Sequence, residues 1–298
     1  MAETPSLAEA PLGSRPTALV LSGGAALGAW QGGVLWALEK NHGLSFPQVL
    51  GTSAGSVNGA AYFQGTTDLL RELWRDVPRE AFLRFEPRLS PPSLFSLDSI
   101  AGYLGSVISE ERCRAAKRCW FYAVAVDMGG AGTVQAQYSP EPGGPWDGPL
   151  LEHVLGSIAV PFVFPPRRLA ANGSPARLFV DGHLSSFVDL GPLLDRGALD
   201  LLFVSVIGPG RGTKPRLSPR GYVSAIINQL MRSQVDNTLF AASDRIRRGG
   251  VRVFEFGPSR PLDISVFGFK KDECRRVFDQ GVGDAAVLAK DASPWRVL

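Results

Sequence analysis

Val49-Leu50-Gly51-Thr52-Ser53-Ala54-Gly55-Ser56-Val57-Asn58-Gly59-Ala60-Ala61-Tyr62-Phe63 reads as the end of a buried strand running directly into a helix rich in small residues. Val49 and Leu50 close an apolar run, and Ala54 to Phe63 then follows with helical character and no linker between the two. At the junction stands Gly51-Thr52-Ser53-Ala54-Gly55, a G-x-S-x-G. In a strand-to-helix turn that pattern holds a serine hydroxyl exposed on a strained backbone, while the flanking glycines let neighbouring chain approach closely. The helix dipole favours negative charge beside Ser53. A glycine-rich turn around an ordinary serine has the same five letters, so the strand and helix on either side carry the reading.

Outward from this junction the chain alternates short apolar runs with longer stretches of helical spacing, the pattern of an α/β fold. Thr17 to Leu21 is predicted as a buried strand, and Gly28 to Lys40 as a helix with Trp30, Val34, Leu35 and Leu38 at helical intervals. Thr67 to Val77 is predicted as a helix, and Trp120 to Val126 with Thr133 to Tyr138 as two strands joined through Gly129 and Gly130. Further strands are expected at Arg177 to Val180, Leu201 to Val206 and Val251 to Phe256, a long helix at Pro219 to Arg248, and a last one at Lys270 to Asp291. Arg247, Arg248 and Gly249 read as a basic last turn with its C-cap glycine. Glu80 to Leu97, apolar but interrupted by prolines, is expected to be an irregular insertion. Met1 to Pro16 reads as a flexible tail, and residues 17–298 as one domain.

Two further motifs bear chemistry. Ser22-Gly23-Gly24-Ala25-Ala26-Leu27-Gly28 lies between a strand and a helix, so its small residues bare backbone N–H groups at a helix N-terminus, where an oxyanion could sit. A Rossmann reading needs an acid about 20 residues on to hold the ribose, and Leu44 to Gly51 has none; a Walker loop lacks its Gly-Lys-Ser/Thr. A purely structural turn stays open. Asp181-Gly182 follows the apolar run Leu178-Phe179-Val180 and puts a carboxylate at a strand end, although Asp-Gly is also a common turn pair. The histidines are His42, His153 and His183. A Ser, Asp/Glu, His order is therefore unavailable beyond residue 183, and a triad would have to pair His183 or His153 with an earlier acid such as Asp127. His42 and His153 read as ordinary loop and helix positions.

Composition narrows the classes. Lys and Arg number 31 against 28 Asp and Glu, a net charge of +3, so no global field points to nucleic acid. The three cysteines, Cys113, Cys119 and Cys274, form no C-x-x-C, which fits neither a disulfide framework nor a zinc site and suggests a reducing, cytoplasmic setting. The N-terminus has no basic and apolar leader pattern, and no uncharged apolar run is long enough for a membrane span; any membrane contact is expected to be peripheral. No metal or cofactor signal accompanies the motifs.

In order, S-G-G-A-A-L-G, G-T-S-A-G and D-G resemble the patatin-like phospholipase family, as does Gly156 to Pro166 with its S-x-A-x-P-x-x-F-P-P pattern. The resemblance spans roughly Thr17 to Pro192. It implies a three-layer α/β/α domain with a central mixed sheet. It also implies Ser53 as nucleophile, Asp181 as its base without a histidine, and the amides of Gly23, Gly24 and Ala25 as oxyanion donors. Phospholipids or other fatty acyl esters would be hydrolysed through an acyl-serine, with transfer to another alcohol, or lipid binding without turnover, as alternatives. Three departures stand near the chemistry: Ala25 replaces a usual glycine, Leu27 a usual Lys or Arg, and His183 the usual Gly or Ala after Asp-Gly. The usual downstream Asn-x-Pro is absent as well. Leu27 is thus expected to remove a positive charge from the turn.

Overall fold

A computed structural model describes residues 11–75, 82–130, 132–169, 176–207 and 219–290. β1 (Thr17–Leu21) leads through a 3-10 turn (Ala25–Leu27) into α1 (Gly28–Lys40), and β2 (Gln48–Thr52) into α2 (Ala54–Phe63) and α3 (Asp68–Arg75). Then come β3 (Phe85–Leu89), β4 (Pro92–Phe95), α4 (Asp98–Val107), α5 (Glu110–Ala116), β5 (Trp120–Asp127) and β6 (Gly132–Tyr138). α6 (Leu150–Ser157), β7 (Arg167–Leu169) and β8 (Arg177–Asp181) follow, the last ending in a second 3-10 turn (Gly182–Leu184). α7 (Gly191–Asp195), β9 (Asp200–Val204), α8 (Pro219–Arg248), β10 (Arg252–Phe256) and α9 (Lys271–Lys290) complete the order.

One sheet runs β10-β9-β1-β2-β5-β8-β7, with β6 also pairing β5. The strands from β10 to β5 are parallel, and β6, β7 and β8 join antiparallel, so the sheet is mixed. Every residue of β1, β2, β9 and β10 is buried, as parallel strands covered on both faces must be. Alternate residues feed opposite layers. Leu19 and Leu21 join the core of Trp30, Leu35, Val57 and Phe278 on one side, while Ala18 and Val20 join that of Leu239 and Ile246 on α8. The result is the expected three-layer α/β/α arrangement with a mixed central sheet.

Register decides where chemistry can gather. Leu21 pairs with Gly51, Thr52 with Val124, and Ala125 with Asp181. Carrying the first pairing two residues on sets Gly23 beside Ser53, and carrying the second one residue on sets Ser53 beside Ala125. Gly23, Ser53, Ala125 and Asp181 therefore lie on one transverse row of the sheet. Ser53 and Asp181 are two strand spacings apart, about 10 Å of backbone that two side chains can bridge.

One sequence expectation fails. Residues 85–95, read as irregular, form the antiparallel pair β3 and β4; residues 80 and 81 lie outside the described residues. Phe85 and Phe95 face each other with ring centroids 6.0 Å apart, and β4 is tied to the segment after α6 by Leu94 N–H to Phe162 O (3.1 Å) and Phe95 N–H to Val163 O (2.9 Å). Pro87 and Pro92 are tolerated because an exposed two-stranded ribbon leaves some N–H positions without a ladder partner anyway. Of the segment read as a tail, residues 1–10 are outside the described residues; Leu12 is buried, and Arg15 bonds Gly250 O (3.1 Å) beside Asp200.

Candidate active site

Ser53 sits between β2 and α2 with φ 53° and ψ −125°, a conformation in which side chains are strained. The tight turn explains the glycines: a Cβ on Gly55 would fall 2.3 Å from Leu21 O, and one on Gly51 2.4 Å from Gly55 O. The elbow is pinned from below. Ser53 N–H donates to Ser157 Oγ (2.8 Å), and Ser157 Oγ–H to Val124 O (2.5 Å), which ties β2, β5 and α6 together.

The Ser53 hydroxyl donates to Asp181 Oδ2 at 2.6 Å, with both residues buried. The other carboxylate oxygen, Oδ1, receives the His183 backbone N–H (2.9 Å) and lies 3.2 Å from His183 Nδ1. A carboxylate out of bulk water needs such donors, and here they also fix its orientation toward the serine. Asp181 N–H donates to Ala159 O (3.0 Å), and Gln234 Nε2 on α8 binds Gly182 O (2.8 Å) and Ser185 O (3.0 Å), so the turn after β8 is held from two sides.

The glycine-rich turn lies on the other side of Ser53. Ala26 N–H is taken by Val266 O (2.9 Å), Leu27 N–H by Gly24 O (3.0 Å) and Gly23 N–H by His183 Nε2 (3.2 Å). Among the described residues this leaves the amides of Gly24 and Ala25 as the turn's candidate donors to an incoming oxygen. Gly24 has φ 151° and Ala25 φ 49°.

Leu27 is buried in the core beneath the turn, so a Lys or Arg side chain at this position would start among apolar neighbours. His42 is half-buried on the loop after α1, and His153 is buried on α6 against Tyr138 Oη (2.6 Å), where burial pushes its pKa down. Asp127 is bound by Arg177 Nε (2.6 Å). All three cysteines are buried and free, and burial pushes the thiols of Cys113 and Cys274 up to about 12, which excludes them as ready nucleophiles.

Sequence reasoning missed a buried polar chain behind the turn. Gln31 Nε2 donates to Ser22 O (3.0 Å) and Val204 O (2.8 Å), Asn58 Nδ2 to Gln31 Oε1 (2.9 Å) and Gly28 O (3.0 Å), and Trp74 Nε1 to Asn58 Oδ1 (2.7 Å). These bonds fix the carbonyl that precedes Gly23 and lock α1, α2 and α3 together. The available signal was a glutamine and an asparagine each set among apolar or small neighbours on its helix.

Beside Ser53 opens an apolar cavity of about 40 Å³, lined by Val57, Trp74, Phe82, Ile100, Phe164 and Phe269 among others. One lining residue, Phe164, meets Phe95 of the β3–β4 ribbon at 6.3 Å; on that ribbon Phe85, Leu89 and Leu94 are exposed, as is Phe162 in the segment bonded to it. Among the described residues no three His, Cys, Asp or Glu side chains converge as a metal cluster, and no helix is long and apolar enough to cross a membrane.

Fold and site define an α/β protein that brings a serine and a carboxylate together at the strand ends of one mixed sheet. Residues 19–194 match the patatin-like phospholipase family model, a span of more than half the chain, and the protein belongs to that family of lipid acyl hydrolases. A solved structure, VipD from Legionella pneumophila, is similar at 14% identity with a TM-score of 0.44, over 93% of this chain and 67% of that one. No curated protein matches the sequence.

Proposed function

We propose that the protein hydrolyses fatty acyl esters, phospholipids included, through a Ser53–Asp181 dyad and an acyl-serine intermediate. The 2.6 Å bond from Ser53 Oγ to Asp181 Oδ2, at the edge of an apolar cavity, carries this reading. As Ser53 Oγ attacks the ester carbonyl carbon, its proton passes to Asp181, and the carbonyl oxygen becomes an oxyanion facing the amides of Gly24 and Ala25, joined by that of Gly23 when His183 Nε2 leaves it. Collapse expels the alcohol, which takes the proton from Asp181. A water then attacks the acyl-serine, gives a proton to Asp181, and the second tetrahedral species collapses to free acid while that proton returns to Ser53. Every step uses one base in two directions, so no histidine is required.

The cavity suggests what the acyl group looks like. By the same measure one water needs about 10–15 Å³, so the space beside Ser53 takes only the first few carbons of a chain without rearrangement. The exposed Phe85, Leu89 and Leu94 of the ribbon, with Phe162 beside it, support contact with a lipid surface, from which the rest of a longer chain need not be withdrawn.

The test is a panel of p-nitrophenyl esters from butyrate to palmitate, together with phosphatidylcholine vesicles and analysis of products. Free fatty acid and lysolipid in equal amounts are expected. Among the esters short enough to stay dissolved, kcat/KM should favour butyrate over octanoate by about tenfold, the cost of forcing extra methylenes into a filled core. Acylated alcohol in place of free acid would make the protein a transacylase, and no turnover of any ester would remove the catalytic reading.

A further inference from the structure

His183 stands where its family relatives are expected to carry Gly or Ala, and its ring touches both halves of the site. A backbone N–H can only donate, so the 3.2 Å contact from Gly23 makes His183 Nε2 an acceptor; in a neutral ring Nδ1 then carries the proton and donates to Asp181 Oδ1 (3.2 Å). The imidazole is wedged closely against the turn. A Cβ on Gly23 would lie 2.1 Å from His183 Cε1 and 2.5 Å from Ser53 Cβ, so the ring edge, Gly23 and the nucleophile share one small space. Only 12% of the His183 side chain is exposed. A substrate carbonyl that is to reach the Gly23 amide must first displace the imidazole nitrogen already bonded to it.

Resting on the assignment of Ser53 as nucleophile, we propose that His183 is a proton-operated gate on the Gly23 oxyanion donor: the neutral ring occupies the amide, and the protonated ring releases it. Protonation puts a hydrogen on Nε2, which then has no lone pair to offer Gly23 N–H, while Nδ1–H keeps its bond to Asp181. Among the described residues the titratable group facing the ring is Asp181, at the end of the strand that precedes it. β5, packed against the turn, carries Asp127, already held by Arg177, and α8 presents the uncharged Gln234 and Asn237, which bind the carbonyls of Gly182, Ser185 and Ser186. β1 and its turn contribute only backbone. His183 is in these terms a positioning residue acting through Gly23.

The experiment compares the second-order rate of fluorophosphonate labelling of the wild-type protein and His183→Ala from pH 5 to pH 8. Taking the ratio of variant to wild type cancels titrations the two share. The variant lacks the Nδ1–H bond to Asp181 at every pH, which scales the ratio by a constant; from pH 5 to pH 8 the ratio should rise about three- to tenfold, the worth of one hydrogen bond. A ratio that stays flat, or one that falls with pH, overturns the gate while leaving Ser53 labelled; absence of labelling in the wild type would instead strike the nucleophile assignment. If the alanine variant does not fold, imidazole ¹⁵N spectra of the wild type decide. An unprotonated Nε2 at pH 8 whose resonance shifts when Ser53 is phosphonylated is required, and an Nε2–H tautomer at that pH rejects the proposal.

Discussion

Ser53→Ala is expected to lower kcat for ester hydrolysis by about 10⁴- to 10⁶-fold, the scale at which loss of a serine nucleophile collapses a dyad or triad to residual binding effects. The alanine removes the one atom that forms the acyl bond and leaves its surroundings in place: Ser53 N–H still binds Ser157, and Asp181 keeps both donors from His183. Fluorophosphonate labelling read by intact mass should vanish in the same variant while its circular dichroism and melting curve remain those of a folded protein. Labelling that persists would place the nucleophile elsewhere.

Asp181→Asn should cost about 10³- to 10⁴-fold in kcat, the range seen when a catalytic base is neutralised without change of shape. The amide matches the carboxylate in volume but cannot take the Ser53 proton. It also cannot accept on both sides: if its oxygen faces the two His183 donors, its NH₂ must face Ser53 Oγ and donate to it, which reverses the existing bond. KM should change far less than kcat, because the carboxylate lies behind the serine rather than in the apolar cavity. A variant with kcat within about tenfold of wild type would require another base, and His183, 3.2 Å from the carboxylate, would be the first to examine.

Much of this was readable in the sequence because local rules are strong where motifs sit. A strand running into a helix through Gly51 to Gly55 leaves few conformations, and the alternating apolar runs fixed the sheet's main strands to within a residue or two, as with β9 at Asp200–Val204 against the expected Leu201 to Val206. What the residues alone did not reveal is long-range. That Ala125 separates Ser53 from Asp181 by one strand follows from pairing registers, which no window of sequence contains. That Leu27 packs into the core is long-range in the same way, since standing next to the glycine turn in sequence does not set which way a side chain packs. The β3–β4 ribbon was missed because prolines mask a strand pattern, and its pairing draws on Phe162 and Val163, some 70 residues away. His183 was set aside as unneeded for proton transfer, and its contact with Gly23 arises only once β1 and β8 are brought to the same row.

The backbone of Ser53, at φ 53° and ψ −125°, lies in a region glycine enters freely and other residues enter at a cost of about 1–3 kcal/mol. Ser53→Gly and Ser53→Ala both lose the bond to Asp181, but only glycine also relaxes the turn. Glycine should therefore be the more stable of the two by about 1–2 kcal/mol in denaturant unfolding, the order the two also take at an ordinary helix N-cap. Equal stabilities would mean that the strain is relieved elsewhere. For a lineage carrying this gene, the mutation that abolishes chemistry and the mutation that best eases the fold are then the same serine-to-glycine change. At this position the stability of the turn and the presence of the hydroxyl therefore pull in opposite directions.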